Sequence, residues 1–175
     1  MRLLRFRSLI VPVALAVTVL VAAAQPASPA TAPTATCEQI ALHLRSGSED
    51  GYRIVLGRVG IPDEDQTSRP ASRKRDPAWP YFRRVGLVVR GGTSPVTITV
   101  PEGWRDRVAI SWGNTPAVSS LQIASCGVSV SKPWNAYAGG FHLSSRADCV
   151  PLDISVGGRS TTVRLGVGRA CGAGH

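Results

Sequence analysis

The feature that most constrains the fold is a series of short segments in which apolar and polar residues alternate. Residues 96–100 are the clearest case, because Val96, Ile98 and Val100 share one face while two threonines share the other. A period of two is typical of a β-strand with one buried face. The comparable segments are residues 52–59, 85–90, 107–112, 119–126, 141–143, 149–156 and 161–167. We therefore predict an all-β domain built as an antiparallel β-sandwich, immunoglobulin-like or jelly-roll-like, with a barrel as the alternative.

One short helix is expected beside these strands. Thr36 and Gln39 have the spacing of a capping box. After them Ile40, Ala41 and Leu44 fall on one face with Cys37, which is a helical spacing. The pattern predicts a helix over residues 37–45.

An export signal is predicted at the start of the chain. Three arginines stand among the first seven residues, and residues 9–24 form an uncharged apolar run. That run is shorter than the roughly 20 apolar residues that span a membrane, and small residues at its end suit signal peptidase. We expect a signal peptide over residues 1–24, cleaved after Ala24 or, as the second choice, Ala30. No transmembrane anchor would remain.

The next residues are expected to be a linker. Residues 25–36 are rich in Ala, Pro and Thr and have little to bury, which predicts a disordered spacer. The remaining residues 37–175 suffice for one core. We therefore predict a single disulfide-stabilised domain over residues 37–175.

The chain has four cysteines, and export favours two disulfides over free thiols. Of the three pairings we expect Cys126–Cys149 and Cys37–Cys171. The alternative is a zinc site formed by Cys126, His142, Cys149 and Cys171. No closely spaced pair of ligands supports it, so we expect neither metal nor cofactor.

The charge balance indicates the kind of partner. The chain has 20 Lys and Arg against 11 Asp and Glu. Loss of the three signal arginines leaves 17 cations against 11 anions. Such a protein is attracted to anionic polymers, glycans and lipid headgroups. Nucleic acid would attract it equally, but export makes nucleic acid an unsuitable partner. The oligomeric state stays open.

The best binding candidate is a segment without periodicity over residues 61–84. It begins with the acidic residues 63–65, which fail the calcium-loop pattern and are interpreted as a solvated turn. Basic and aromatic residues follow, and together they could hold an anionic glycan by stacking and paired hydrogen bonds. These candidate binding residues are Arg73, Lys74, Arg75, Trp79, Tyr81, Phe82, Arg83 and Arg84. The alternative is that Trp79 and Phe82 cover one end of the sandwich.

No catalytic residue is assigned from the sequence. There is no Gly-x-Ser-x-Gly elbow, and histidine occurs only at positions 43, 142 and 175. His142 alternates with Phe141 and Leu143, so we expect it to face away from the core. A triad of His142 with Asp148 or Asp153 and a serine remains an alternative. We expect Trp112 and Trp134 in the core, with a carbohydrate platform as the alternative.

Several segments together resemble a known group of proteins. They are residues 51–57, 79–82, 111–114, 119–121, 134–141, 149–152 and 164–168. In these segments the chain resembles a group of small, secreted, uncharacterised proteins of actinobacteria. The resemblance covers about residues 37–171. It implies export from a Gram-positive, high-GC bacterium and implies no activity.

The sequence thus favours a secreted, non-enzymatic β-sandwich that acts as a binding or structural module at the cell envelope or outside the cell. A small exported hydrolase is one alternative. A secreted protease inhibitor that presents residues 61–84 as bait, with Arg73–Arg75 in the centre, is the other.

Overall fold

The computed structural model describes residues 31–63 and 69–171. The predicted signal peptide, the first part of the predicted linker, residues 64 and 65 of the acidic turn, and His175 lie outside the described residues. In the described part of the chain, no helix has the length and apolarity needed to cross a membrane.

The domain is all-β, as predicted. Two single 3₁₀ turns, Cys37–Gln39 and Glu102–Trp104, accompany the strands in the described residues. The strands are β1 (Thr34–Ala35), β2 (Leu42–Leu44), β3 (Tyr52–Val55), β4 (Val59–Pro62), β5 (Ser72–Arg73), β6 (Tyr81–Arg84), β7 (Leu87–Arg90), β8 (Val96–Thr99), β9 (Val108–Trp112), β10 (Ser120–Ile123), β11 (Trp134–Tyr137), β12 (Gly139–Leu143), β13 (Asp148–Val156) and β14 (Arg159–Val167).

The strands form three sheets that are antiparallel except at β1. Sheet A has the order β1-β10-β8-β13-β14, sheet B the order β2-β11-β7-β4-β3, and sheet C the order β5-β6-β12-β9. The nine-residue hairpin of β13 and β14 is the longest pairing, and only β1 on β10 is parallel.

Sheets B and C are two parts of one bent layer. The chain passes from β6 in sheet C to β7 in sheet B through Val85 and Gly86, and it returns from β11 to β12 through Ala138. The Val85 amide donates to the Gly139 carbonyl at this bend (3.0 Å). The Trp112 indole Nε1–H donates to the Val85 carbonyl (2.8 Å).

The core lies between sheet A and this bent layer. Alternate residues from all three sheets form one buried cluster, as the period-two pattern predicts. Its largest members are Trp112, Tyr137 and Phe141. Trp112 packs edge-on against Phe141 with ring centroids 5.7 Å apart. Trp112 and Trp134 are 2% and 3% exposed, so the prediction that both belong to the core is confirmed.

The predicted helix over residues 37–45 is wrong beyond its first turn. The Thr36 amide donates to the Gln39 side chain (2.9 Å), as the capping box predicts. Ile40 is already extended, and residues 42–44 pair with β11 instead. Pairing with a strand distant in sequence overrides the helical spacing.

The predicted linker is too long at its C-terminal end. Thr34 and Ala35 pair with Gln122 and Ile123 of β10, and Ala35 is fully buried. The ordered domain therefore begins before Thr36, because Ala35 fills a place in the core of sheet A.

Two strand predictions near the candidate loop also need correction. Residues 52–59, expected as one strand, belong to a hairpin over 52–62, in which Leu56 and Gly57 turn with φ of 51° and 70°. Residues 61–84 are not an irregular loop throughout, because they contain the end of β4 and all of β5 and β6. Alternation alone does not detect the three-residue turn, residues 56–58, that reverses the chain.

All four cysteines form disulfides, but the predicted pairing is wrong. Cys37 bonds Cys126 and Cys149 bonds Cys171, with Cα separations of 5.6 and 5.2 Å. Cys37 and Cys126 follow the ends of the paired strands β1 and β10. The chain after β14 folds back over Gly166, which lies opposite Cys149, and so brings Cys171 to it. No thiolate is left for the zinc alternative.

We predict that loss of the Cys37–Cys126 bond destabilises the domain more than loss of Cys149–Cys171. The bonds span 89 and 22 residues, which corresponds to about 5 and about 3 kcal/mol in the chain-entropy model. Denaturant unfolding of the Cys37→Ala/Cys126→Ala and Cys149→Ala/Cys171→Ala double variants measures the difference. Peptide mapping without reduction checks the pairing, and a linked 126–149 peptide would contradict it.

Candidate functional site

The candidate site lies on the outer face of sheet C. Phe141 and Leu143 of β12 are buried, while His142 between them points outward, as predicted. Phe82 of β6 lies directly opposite His142, with ring centroids 4.8 Å apart. Ser111 of β9 lies diagonally across on the other side. Three strands thus bring an aromatic ring, an imidazole and a hydroxyl together.

Four polar side chains on this face form a continuous hydrogen-bonded chain, which we call the Ser-His-Lys-Asp chain. The Ser111 Oγ is 2.7 Å from His142 Nε2. The Lys74 Nζ is 2.8 Å from His142 Nδ1. The same Lys74 ammonium pairs with the Asp76 carboxylate at 2.9 Å.

The loop between β5 and β6 holds Lys74 and Asp76 in place. The Lys74 amide donates to the Pro80 carbonyl across the loop (2.9 Å). Asp76 Oδ1 accepts from the amides of Ala78 and Trp79 (3.0 and 3.2 Å). The hydrogen bond from Lys74, followed by these amides, lowers the pKa of Asp76. The loop therefore places a charged ammonium directly against the imidazole.

Lys74 decides which nitrogen of His142 carries the proton. An ammonium has three donors and no acceptor, so Nδ1 must accept from it. A neutral imidazole then carries its hydrogen on Nε2 and donates it to Ser111 Oγ. A catalytic triad has the opposite arrangement, because there Nδ1–H donates to a carboxylate and Nε2 accepts the serine proton.

The surroundings also keep His142 neutral. Partial burial, and then the positive charge of Lys74, lower its pKa to about 4, while Asp76 acts weakly in the other direction. His142 is therefore uncharged at neutral pH, which agrees with its role as acceptor from Lys74.

A shallow pocket of about 180 Å³ opens beside Ser111. Its lining residues are Phe82, Arg84, Ser111, Asn114, Ala138 and Gly139. Arg84 and Ser111 both lie opposite Gly140 in the register of β12, so no side chain stands between them. A Cβ at Gly140 would collide with the Arg83 carbonyl oxygen, and one at Gly139 with the Ser111 carbonyl oxygen.

Larger pockets are present elsewhere but lack such an arrangement. One of about 520 Å³ lies over Thr99 and Asp153, and one of about 450 Å³ lies beside His43 and Val128. The first has no histidine in its lining, and His43 in the lining of the second is bonded to Asn135, which does not line that pocket. The pocket beside Ser111 is smaller but has a member of the Ser-His-Lys-Asp chain in its lining, so we take it as the candidate site.

The structure brings together only part of the predicted binding residues. Lys74, Phe82 and Arg84 belong to the site. Arg73 and Tyr81 line a separate pocket with Arg146. Tyr81 also packs against the core. The remaining members are outside the site: Arg75 is exposed, Trp79 is partly buried, and Arg83 alternates to the face opposite Phe82 and Arg84.

Neither of the two carboxylates considered for a triad with His142 is hydrogen-bonded to it. The Asp148 carboxylate is buried and pairs with Arg107 at 2.5 Å. The Asp153 carboxylate accepts from the Thr162 hydroxyl at 2.6 Å. Neither is the group on His142, whose Nδ1 is bonded to a lysine. His43 is bonded to Asn135 on sheet B (2.8 Å) and takes no part.

Sequence reasoning missed Ser111, Asn114 and Asp76. Ser111 was detectable, since it alternates with the core residues Ile110 and Trp112 and must face outward. Asn114 carries a positive φ of 59° in the turn after β9, which asparagine tolerates. No sequence signal places Asp76 beside Lys74 and His142.

We predict that acid destabilises the protein through His142. The folded pKa of about 4 lies below the unfolded value of about 6.5. The unfolded chain therefore takes up the proton first, and stability falls as pH drops from 6.5 towards 4. A His142→Gln variant should lose less stability over this range, as measured by denaturant midpoints. Ring ¹⁵N shifts should give the neutral Nε2–H tautomer at pH 7, and the Nδ1–H form would contradict the assignment.

Comparison with known proteins gives no indication of what the site binds or does. No protein-family model, no curated protein and no solved structure matches the chain.

Proposed function

We propose that this protein is a secreted, non-enzymatic binding module that attaches to an anionic polymer or glycan of the cell envelope through the outer face of sheet C. The observation that carries the proposal is the bond from Lys74 to His142 Nδ1 (2.8 Å). It makes His142 a donor to Ser111, and therefore makes Ser111 a recognition group.

The hydrolase alternative is favoured by one feature only, the 2.7 Å contact between Ser111 and His142. A serine nucleophile needs an adjacent base to take its proton. In the Nε2–H tautomer His142 has no free lone pair facing Ser111. The geometry therefore supports binding over acyl transfer.

The face has the composition of a site for an acidic sugar polymer. Arg84 supplies a guanidinium that can hold an oxyanion through two parallel hydrogen bonds. The partly exposed Phe82 ring offers a flat apolar surface beside it. The excess of cations over anions in the whole chain adds long-range attraction.

The size of the pocket fits a group that projects from a polymer. A volume of about 180 Å³ is below the roughly 300–1,000 Å³ of pockets that enclose a small molecule. A single acidic unit can occupy it while the rest of the chain lies along the open sheet.

The inhibitor alternative is weaker on this geometry. The Lys74 ammonium is held between His142 and Asp76, so it is not free to enter the specificity pocket of a trypsin-like protease. Arg73 belongs to β5, and Arg75 is exposed but adjoins this held lysine.

We predict that the mature protein co-sediments with cell envelopes of the bacterium that produces it, even in 0.5 M salt, where the screening length is about 4 Å. Arg84→Ala should lower the bound fraction strongly at that salt, because the guanidinium lines the pocket. The matched control is Arg164→Ala, an exposed arginine on β14 of sheet A.

Equal losses in the two arginine variants would mean that only net charge drives adhesion. Absence of binding at low salt would remove the proposal.

We predict that Ser111 is unreactive towards a fluorophosphonate, a reagent that labels activated serines. Its hydroxyl is not deprotonated by His142, so intact-mass spectrometry should find no adduct after hours at pH 7.5. Trypsin treated in parallel confirms that the reagent is active. A stoichiometric adduct lost in Ser111→Ala would establish a nucleophile and favour the hydrolase.

A further inference from the structure

We infer that the group seated in the pocket beside Ser111 is an oxyanion, a carboxylate or a phosphate carried on a polymer, and that Arg84, Ser111 and Asn114 bind it. The inference rests on the proposed function and deepens it by naming the chemistry of the ligand.

The hydroxyl of Ser111 can donate a hydrogen bond to a ligand in the pocket. Its oxygen already accepts the Nε2–H of His142, as the Lys74 contact requires. The hydroxyl hydrogen is not needed for that bond. It is therefore available to an acceptor in the pocket, and a ligand oxygen without a hydrogen suits it best.

The charge of the pocket wall favours a negatively charged ligand. The six lining residues contain one cation, Arg84, and no carboxylate. The nearest acid of the Ser-His-Lys-Asp chain, Asp76, is paired with Lys74. A negative group in the pocket therefore meets hydrogen-bond donors and a guanidinium, without a fixed anion in the wall.

The spacing of Arg84 and Ser111 allows both residues to contact one ligand group. Arg84 and Ser111 stand on β6 and β9, on either side of Gly140 in β12. Their Cα atoms are two strand spacings apart, roughly 10 Å. The guanidinium can reach back across the space that Gly140 leaves, so both residues can hold one planar or tetrahedral oxyanion between them. Asn114 adds an amide from the turn after β9.

A neutral sugar fits this wall less well. Its hydroxyls donate as well as accept, and they gain no charge-assisted bond from Arg84. A uronic acid or a phosphodiester-linked polyol presents acceptor oxygens and a charge. Both share the chemistry that the pocket recognises.

Calorimetric titration of the mature protein with three polymers of similar length tests the inference. The probes are polygalacturonate, poly(glycerol phosphate) and neutral dextran, each in 0.15 M and 0.5 M salt. We expect at least one of the acidic polymers to bind and dextran not to bind. The stronger of the two acids identifies the source of the oxyanion.

Variants locate the binding. Arg84→Ala and Ser111→Ala should each weaken the acidic polymer about tenfold or more, as loss of a charge-assisted hydrogen bond predicts. Arg164→Ala should change affinity less than twofold. Ser111→Thr, which retains the hydroxyl, should restore part of the loss. Circular dichroism and thermal melting of each variant exclude misfolding as the cause.

The failures of the two proposals differ. If envelopes bind through Arg84 but dextran binds as well as the acidic polymers, the oxyanion inference is overturned and the proposed function stands. If acidic polymers bind, Arg84→Ala and Arg164→Ala weaken binding equally and Ser111→Ala leaves it unchanged, binding follows net charge and the inference is overturned. If neither envelopes nor any polymer bind, both are overturned.

Discussion

The hydrogen bond from the Trp112 indole to the Val85 carbonyl is the interaction on which the rest of the structure depends. The chain crosses between sheets C and B twice at this point, from β6 to β7 and from β11 to β12, so the ladder is interrupted inside the protein. A buried carbonyl without a donor costs about 1–3 kcal/mol. Trp112 is 2% exposed and supplies the donor at 2.8 Å, while its ring packs edge-on against Phe141 in the core. The Trp112 side chain thus packs in the core and also supplies the hydrogen bond that the Val85 carbonyl needs at the bend.

The same bend produces the pocket. The crossing at Ala138 brings Gly139, the first residue of β12, so close to β9 that a Cβ at Gly139 would collide with the Ser111 carbonyl oxygen. Gly140 is equally confined by Arg83 of β6. Two positions that packing restricts to glycine leave the row between Arg84 and Ser111 without a side chain. The pocket beside Ser111 is therefore a consequence of how the bent layer is closed.

The sequence predicted what depends on local periodicity and failed where distant segments meet. Alternation in residues 96–100 or 107–112 locates strands, because one face of each must be buried. It also predicted that His142 faces outward. The disulfide pairing depends on β1 lying beside β10, and no local pattern in Thr34–Ala35 shows that. The predicted helix after Cys37 was wrong because pairing with β11 stabilises residues 42–44 more than a marginal helix of nine residues would. The contact of Lys74 with His142 joins residues 68 apart in sequence through a loop geometry that spacing cannot give.

The role of Ser111 depends on Lys74, which contacts the other ring nitrogen of its hydrogen-bond partner His142. A serine within 2.7 Å of a histidine is compatible with either nucleophilic catalysis or recognition. A carboxylate on Nδ1 would hold the hydrogen there, leave Nε2 basic and stabilise an imidazolium. An ammonium on Nδ1 has the opposite effects. It donates to Nδ1, so the hydrogen of the neutral ring lies on Nε2, which is then not basic. Its positive charge also disfavours the imidazolium. The low pKa of His142, about 4, results first from burial and then from that repulsion. Asp76 does not reverse this outcome, because its charge raises the pKa of His142 less than burial and Lys74 lower it, and because its carboxylate holds the lysine in place.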